Sequence, residues 1–85
     1  MEINEIKEIL SEENPNALFA DNFDEALIGI SRRCGQPSLA VYSVTKCLDV
    51  LQKEMSYQDA VEYFEFNVLN TWLGDGTPIF LLDDY

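Results

Sequence analysis

The chain has 85 residues, enough for one domain and too few to divide a core in two, because a domain of this size buries only about 60 to 65 % of its unfolded surface. Hydrophobic residues make up 47 % of it, more than a disordered chain of comparable charge carries, so one folded domain over residues 1–85 is expected. Sixteen acidic residues against five basic ones, with no histidine, give a net charge of −11; this argues against phosphate-backbone binding, which relies on clustered Lys and Arg, and excludes His-based triads and His metal sites.

Within residues 1–20, Ile3, Ile6, Ile9 and Leu10 recur at helical spacing with Glu2, Glu5 and Glu8 between them, which predicts an acidic amphipathic helix over about the first ten residues. Asn14 before Pro15 can cap a further turn through Ala17, Leu18 and Phe19. Asp21, Asp24 and Glu25 then crowd together, but their spacing does not match the calcium loop D-x-[DN]-x-[DN]-G, and they read as an acidic loop before a strand. Residues 26–34 and 38–43 mix β-branched and small residues around the turn signal Gly35, Gln36, Pro37 and predict a β-hairpin. Alternation along the first strand puts Ile28, Ile30 and Arg32 on one face and Leu27, Gly29, Ser31 and Arg33 on the other, so that one arginine points away from the core.

Ser43 is a natural N-cap for a helix over 44–55, whose apolar stripe is Val44, Cys47, Leu48, Leu51 and Met55. Ser56 followed by Asp59 is a close variant of the capping box and opens a second helix over 57–70. After the turn Gly74, Asp75, Gly76, residues 77–82 read as a last strand, with Asp83, Asp84 and Tyr85 as a frayed tail. Helix, strand, strand, helix, helix, strand is an α+β order. It predicts a small two-layer sandwich, with helices packed on one face of a three-stranded, mainly antiparallel sheet. The last strand is expected antiparallel beside the second, giving sheet order 1-2-3, with a place beside the first as the alternative.

Projecting the second of these helices at about 100° per residue makes Tyr57, Ala60, Val61, Phe64 and Val68 its core face. Phe66 and Leu69 fall nearly opposite, beside Glu62 and Asp59. Either the N-terminal helix folds back over them, or Phe66, Leu69 and Trp72 form an exposed apolar patch in an acidic rim, suited to a protein partner or a homodimer. The acids are concentrated N-terminally: residues 1–25 hold eight of them and one lysine, net −7, against net −4 over 26–85. A field of this sign repels nucleic acid and anionic membrane and speeds encounter with basic protein surfaces.

Other motifs lead to little chemistry. The stretch GDGTP lacks the G-x-x-x-x-G-K-[ST] pattern and precedes a strand instead of opening a helix, so it reads as a turn and not a phosphate loop. Cys34 and Cys47 have no metal-type spacing and read as reduced thiols with a packing role. Arg33 beside Cys34 is the only activating neighbour a cysteine nucleophile would have. No enzymatic activity, cofactor or metal is expected. The acidic opening and the lack of an apolar run of about 18 residues predict a cytoplasmic protein without a membrane span.

The run DEALIGISRRCGQPSLAVY, followed by KCLDVL, MSYQDAVEYFEFNV and WLGDGTPIF, resembles a family of small uncharacterised acidic proteins encoded by tailed bacteriophages and prophages. The similarity covers about residues 20–81, with RCGQP, EYFEFN and GDGTP in the same order. The resemblance implies a phage setting in the host cytoplasm, where small acidic proteins outside the virion are often accessory factors that bind a host protein; it carries no mechanism and no site residues. Three functions are thereby expected in order. The first is a non-enzymatic accessory protein that binds and modulates or inhibits a host protein through the acidic surface and the apolar patch, with DNA mimicry as a variant. The second is a small-anion or nucleotide-signal sponge, with Arg32 or Arg33, Gln36 and Tyr42 or Tyr63 around a pocket, since arginine offers a planar fork to phosphate and tyrosine a stacking face. The third is a minor structural or assembly role in the phage particle.

Overall fold

The computed structural model describes residues 2–83. Helix α1 spans Ile3–Glu13, with Ile6 and Leu10 buried one turn apart on its inner face. Asn14 ends it: its amide donates to the Leu10 carbonyl, its side-chain oxygen accepts from the amide of Asn16, and its side-chain nitrogen donates to the carbonyl of Ser38. Asn14 also opens a single turn, its carbonyl accepting from the Ala17 amide, but the helical turn expected to run on through Ala17, Leu18 and Phe19 does not form, and residues 17–20 are neither helix nor strand.

A 3-10 turn, Asp24–Ala26, leads into β1, Leu27–Arg33, which pairs antiparallel with β2, Gln36–Ser43. Gly35 makes the tight connection possible, since its φ of 77° lies in the left-handed region that L side chains avoid. The pairing register shifts between Leu27 and Gly29 and again between Ser31 and Arg33. These irregularities break the expected alternation. Leu27 and Ile30, three residues apart, both pack into the core, while Ile28 is exposed.

Helix α2, Val44–Leu51, follows β2 directly, and the Ser43 hydroxyl caps it by accepting from the Lys46 amide. It is shorter than the expected 44–55, because Lys53 and Glu54 donate to carbonyls three residues back and tighten the chain into a turn. Ser56 caps α3, Tyr57–Phe64, through the amide of Asp59, as its sequence signature indicated. Beyond Phe64 the winding changes to one π-helical turn, Glu65–Leu69. The last strand, β3, is Ile79–Leu81.

The three helices lie on one face of a three-stranded sheet of order β1-β2-β3, the two-layer α+β arrangement that the element order implies. The sheet is mixed: β3 runs parallel to β2, not antiparallel as expected. The stretch from Val44 to Pro78 acts as a crossover, far longer than the dozen or so residues a parallel connection requires. One core joins the layers. Ile6, Leu10, Phe23, Leu27, Tyr42 and Phe64 are buried in it together with Cys47, and Phe80 reaches in from β3 to stack on Tyr42 and meet Phe64 edge-on.

Candidate functional site

The π-helical turn Glu65–Leu69 leads into the surface that the C-terminal half presents to water. A π turn holds more residues than an α turn, yet the faces projected at a fixed angle hold through it. Val68 still leans on the core, as expected. Phe66 is 77 % exposed and Trp72 71 %, and Leu69 and Leu73 are exposed with them. Of the two expected fates for Phe66 and Leu69, cover by the N-terminal helix is not realised: α1 lies against β1 and β2. Asp59, Glu62 and Glu65, at successive turns of the same helical run, are also exposed and supply the acidic margin. Tyr57, expected in the core, is exposed at the first residue of α3. Leu73 was not among the expected patch residues, although its place beside Trp72 in TWLG was the available signal.

The five residues expected around an anion do not converge. Arg32 turns toward the helical layer and makes a two-pronged ion pair with Glu13, which also accepts a hydrogen bond from the Ser38 hydroxyl. These bonds, Arg32 foremost, hold the Glu13 carboxyl at about 2, well below its ordinary value. Arg33 is exposed at the hairpin end and forms no ion pair among the described residues. Tyr42 is buried in the core, where its hydroxyl accepts a 2.8 Å hydrogen bond from the Ala20 amide; burial raises the phenol above its usual value, with the amide hydrogen bond acting the other way. Gln36 belongs to a separate cleft of about 300 Å³ that it shares with Leu39 and Trp72. Tyr63 stands on yet another wall.

That wall belongs to a half-open groove of about 760 Å³. Phe19, Phe23, Leu51, Val68, Leu73 and Phe80 give it an apolar lining. Its polar groups are largely used internally: Asn67 donates to the Tyr63 carbonyl, Thr71 to the Asn67 carbonyl and Thr77 to the Gly74 carbonyl. Lys53, the only cation lining it among the described residues, is bonded to both carboxylate oxygens of Glu25 at 3.1 and 3.0 Å. With Lys7 paired to Asp24 at 2.9 Å, three of the five basic side chains are engaged by acids among the described residues. What remains over the surface is carboxylate in excess.

The thiols offer no concerted chemistry. Cys47 packs in the core as expected, and burial pushes it up to about 12 with a smaller contribution from Asp83, which makes it a poor nucleophile. Cys34 has no packing role, because it sits exposed in the hairpin turn. Asp83, expected in a frayed tail, is tied in: it accepts from the Ser43 hydroxyl and the Thr45 amide at the start of α2, and these bonds lower its carboxyl below the usual range. Asp84 and Tyr85 lie outside the described residues. Among the described residues, no group of three or more His, Cys, Asp or Glu is placed to hold a metal, and no helix is long and apolar enough to cross a membrane. No protein family matches the chain, and neither does any curated protein or solved structure.

Proposed function

We propose that this chain is a non-enzymatic phage accessory protein, acting in the host cytoplasm, that binds a host protein and modulates or inhibits it through an acidic surface bearing an apolar patch. The observation that carries the reading is the exposure of Phe66 and Trp72, each about three-quarters open to water in a chain of net charge −11. Large aromatics are the side chains on which binding energy concentrates when a partner desolvates them. Leu69 and Leu73 extend their apolar area, while Asp59, Glu62 and Glu65 form a polar margin. The surplus of carboxylates steers a basic partner into place and repels nucleic acid and anionic lipid. The phage setting rests on the resemblance of the RCGQP, EYFEFN and GDGTP segments.

The test is affinity capture from phage-infected cells at low and high salt, comparing the native chain with Phe66→Asp and Trp72→Asp variants of unchanged melting temperature. The expected result is a host protein retained by the native chain and lost from both variants. An identical set of captured proteins for all three would overturn the proposal. Retention that weakens steeply with salt would add the charge surplus to the recognition, as DNA mimicry requires.

A further inference from the structure

The half-open groove of about 760 Å³ lies between the 18–23 segment, the turn after α2, the helical run that begins with α3 and the chain entering β3. Its walls are fixed before anything binds. The Leu18 amide donates to the Gly76 carbonyl at 3.0 Å and the Ala20 amide to the Tyr42 hydroxyl at 2.8 Å, so the 18–23 segment is clamped both to the approach of β3 and to the core. Phe23 and Phe80 are buried or half-buried in this groove, while Leu18, Tyr63 and Leu73 hold large apolar surfaces open to water along it. A partner that fills the groove gains by removing that surface from water. Its unpaired charge has one sign. Lys53 is neutralised by Glu25, whereas Asp21 and Glu54, exposed residues that also line the groove, form no ion pair among the described residues.

We propose that this groove seats a basic amphipathic helix of a partner protein, whose apolar face enters between Leu18, Tyr63 and Leu73 while its lysines or arginines meet Asp21 and Glu54. The inference rests on the reading of this chain as a protein binder and names the chemistry of what it binds. A small ligand is the less suited occupant, because such molecules are oriented by a few polar groups aimed into their pocket. Here the side chains of Asn67, Thr71 and Thr77 are bonded instead to nearby main-chain carbonyls. What the groove offers is apolar area with acid beside it, the complement of a helix that carries hydrophobic anchors on one face and cations at their flanks. Met55 adds a flexible wall that adjusts to the anchor. An anionic occupant would meet two uncompensated carboxylates. Leu73 belongs both to this groove and to the exposed patch, so the two surfaces join.

The probe is a synthetic helical peptide with leucines on one face and lysines on the other, set against a scrambled peptide of the same composition and a version with glutamate in place of lysine. Titrated into the unaltered protein, the leucine–lysine helix is expected to bind saturably and to shift the amide signals of Ala20, Leu51, Val68 and Leu73, leaving those of Arg33 and Cys34 at the hairpin turn in place. Its affinity should fall about tenfold or more when Leu18→Ser and Leu73→Ser are combined, and by about as much when Asp21→Lys is combined with Glu54→Lys; Phe66→Ser should bind like the native chain. Equal binding of the scrambled peptide, tighter binding of the glutamate version, shifts confined to Phe66 and Trp72, or no binding at all would overturn the inference. Host-protein capture lost in Phe66→Asp and Trp72→Asp but unaltered in the Leu18→Ser, Leu73→Ser protein would remove the groove and leave the patch standing; the converse would remove the patch and leave the groove.

Discussion

Replacing Tyr42 by phenylalanine removes one oxygen atom from the centre of the core. The ring keeps its stack on Phe80 at 5.7 Å between centroids, so apolar packing is unchanged and the loss is confined to the hydroxyl. That hydroxyl accepts from the Ala20 amide at 2.8 Å, and no other acceptor for this amide is found among the described residues. An amide left without a partner on partial burial costs on the order of 1–2 kcal/mol. For a domain of this size each kcal/mol lowers the melting temperature by about 4–8 °C, so a fall of roughly 5–15 °C is expected. Circular dichroism melts measure the drop. Hydrogen exchange locates it, with faster exchange at Ala20 and neighbours and little change in α3. A variant that melts within a degree or two of the native chain would show that the 17–23 segment is not anchored through Tyr42, and the account of the core given above would fail with it.

The Glu13 and Arg32 pair predicts a pH dependence. Since the folded carboxyl titrates at about 2 and the free one near 4.5, its contribution is complete above 4.5 and disappears as pH falls through about 2. Urea titrations of native chain and Glu13→Gln should therefore differ at neutral pH and converge over that acidic window; because the pair is exposed, the difference will be small and reduced by salt. Gly76→Ala should destabilise for another reason. A Cβ there would run into the Asn16 carbonyl oxygen, where the Gly76 carbonyl also accepts from the Leu18 amide, and such overpacking costs typically 1–3 kcal/mol. A Gly76→Ala protein as stable to urea as the native chain would contradict the closeness of these two segments.

Much of this fold is legible in the residues because the local signals agree with the tertiary outcome. Ser43 and Ser56 cap the helices that their positions advertise, and the apolar stripes of α1 and α2 become the buried ones. Legibility fails where geometry departs from its period. The irregular pairing around Ile28 brings Leu27 and Ile30 to one side, which strict alternation cannot express. The sense of β3 is set by where a long crossover returns the chain, and no residue in TPIFLL encodes it. At the candidate surface, the exposure of Phe66 and Leu69 was one of two fates that the sequence allowed. The dispersal of Arg32, Arg33, Gln36, Tyr42 and Tyr63 was hidden because spacing along the chain does not reveal that Glu13 claims Arg32 or that the Tyr42 hydroxyl serves a distant amide.

The parallel placement of β3 has a bearing on how the molecule comes apart. Its ladder is three residues long and its partner is a strand already satisfied on the opposite side by β1. Beyond that ladder, Phe80 inserted between two rings and the Asp83 carboxylate at the head of α2 hold it in place. Elements secured by so few long-range ties open locally well before a domain unfolds. Detachment would turn β2 from an interior strand into an exposed rim, the template from which strand exchange and fibrous association begin, and acid strong enough to protonate Asp83 would loosen one of the fastenings that prevent it.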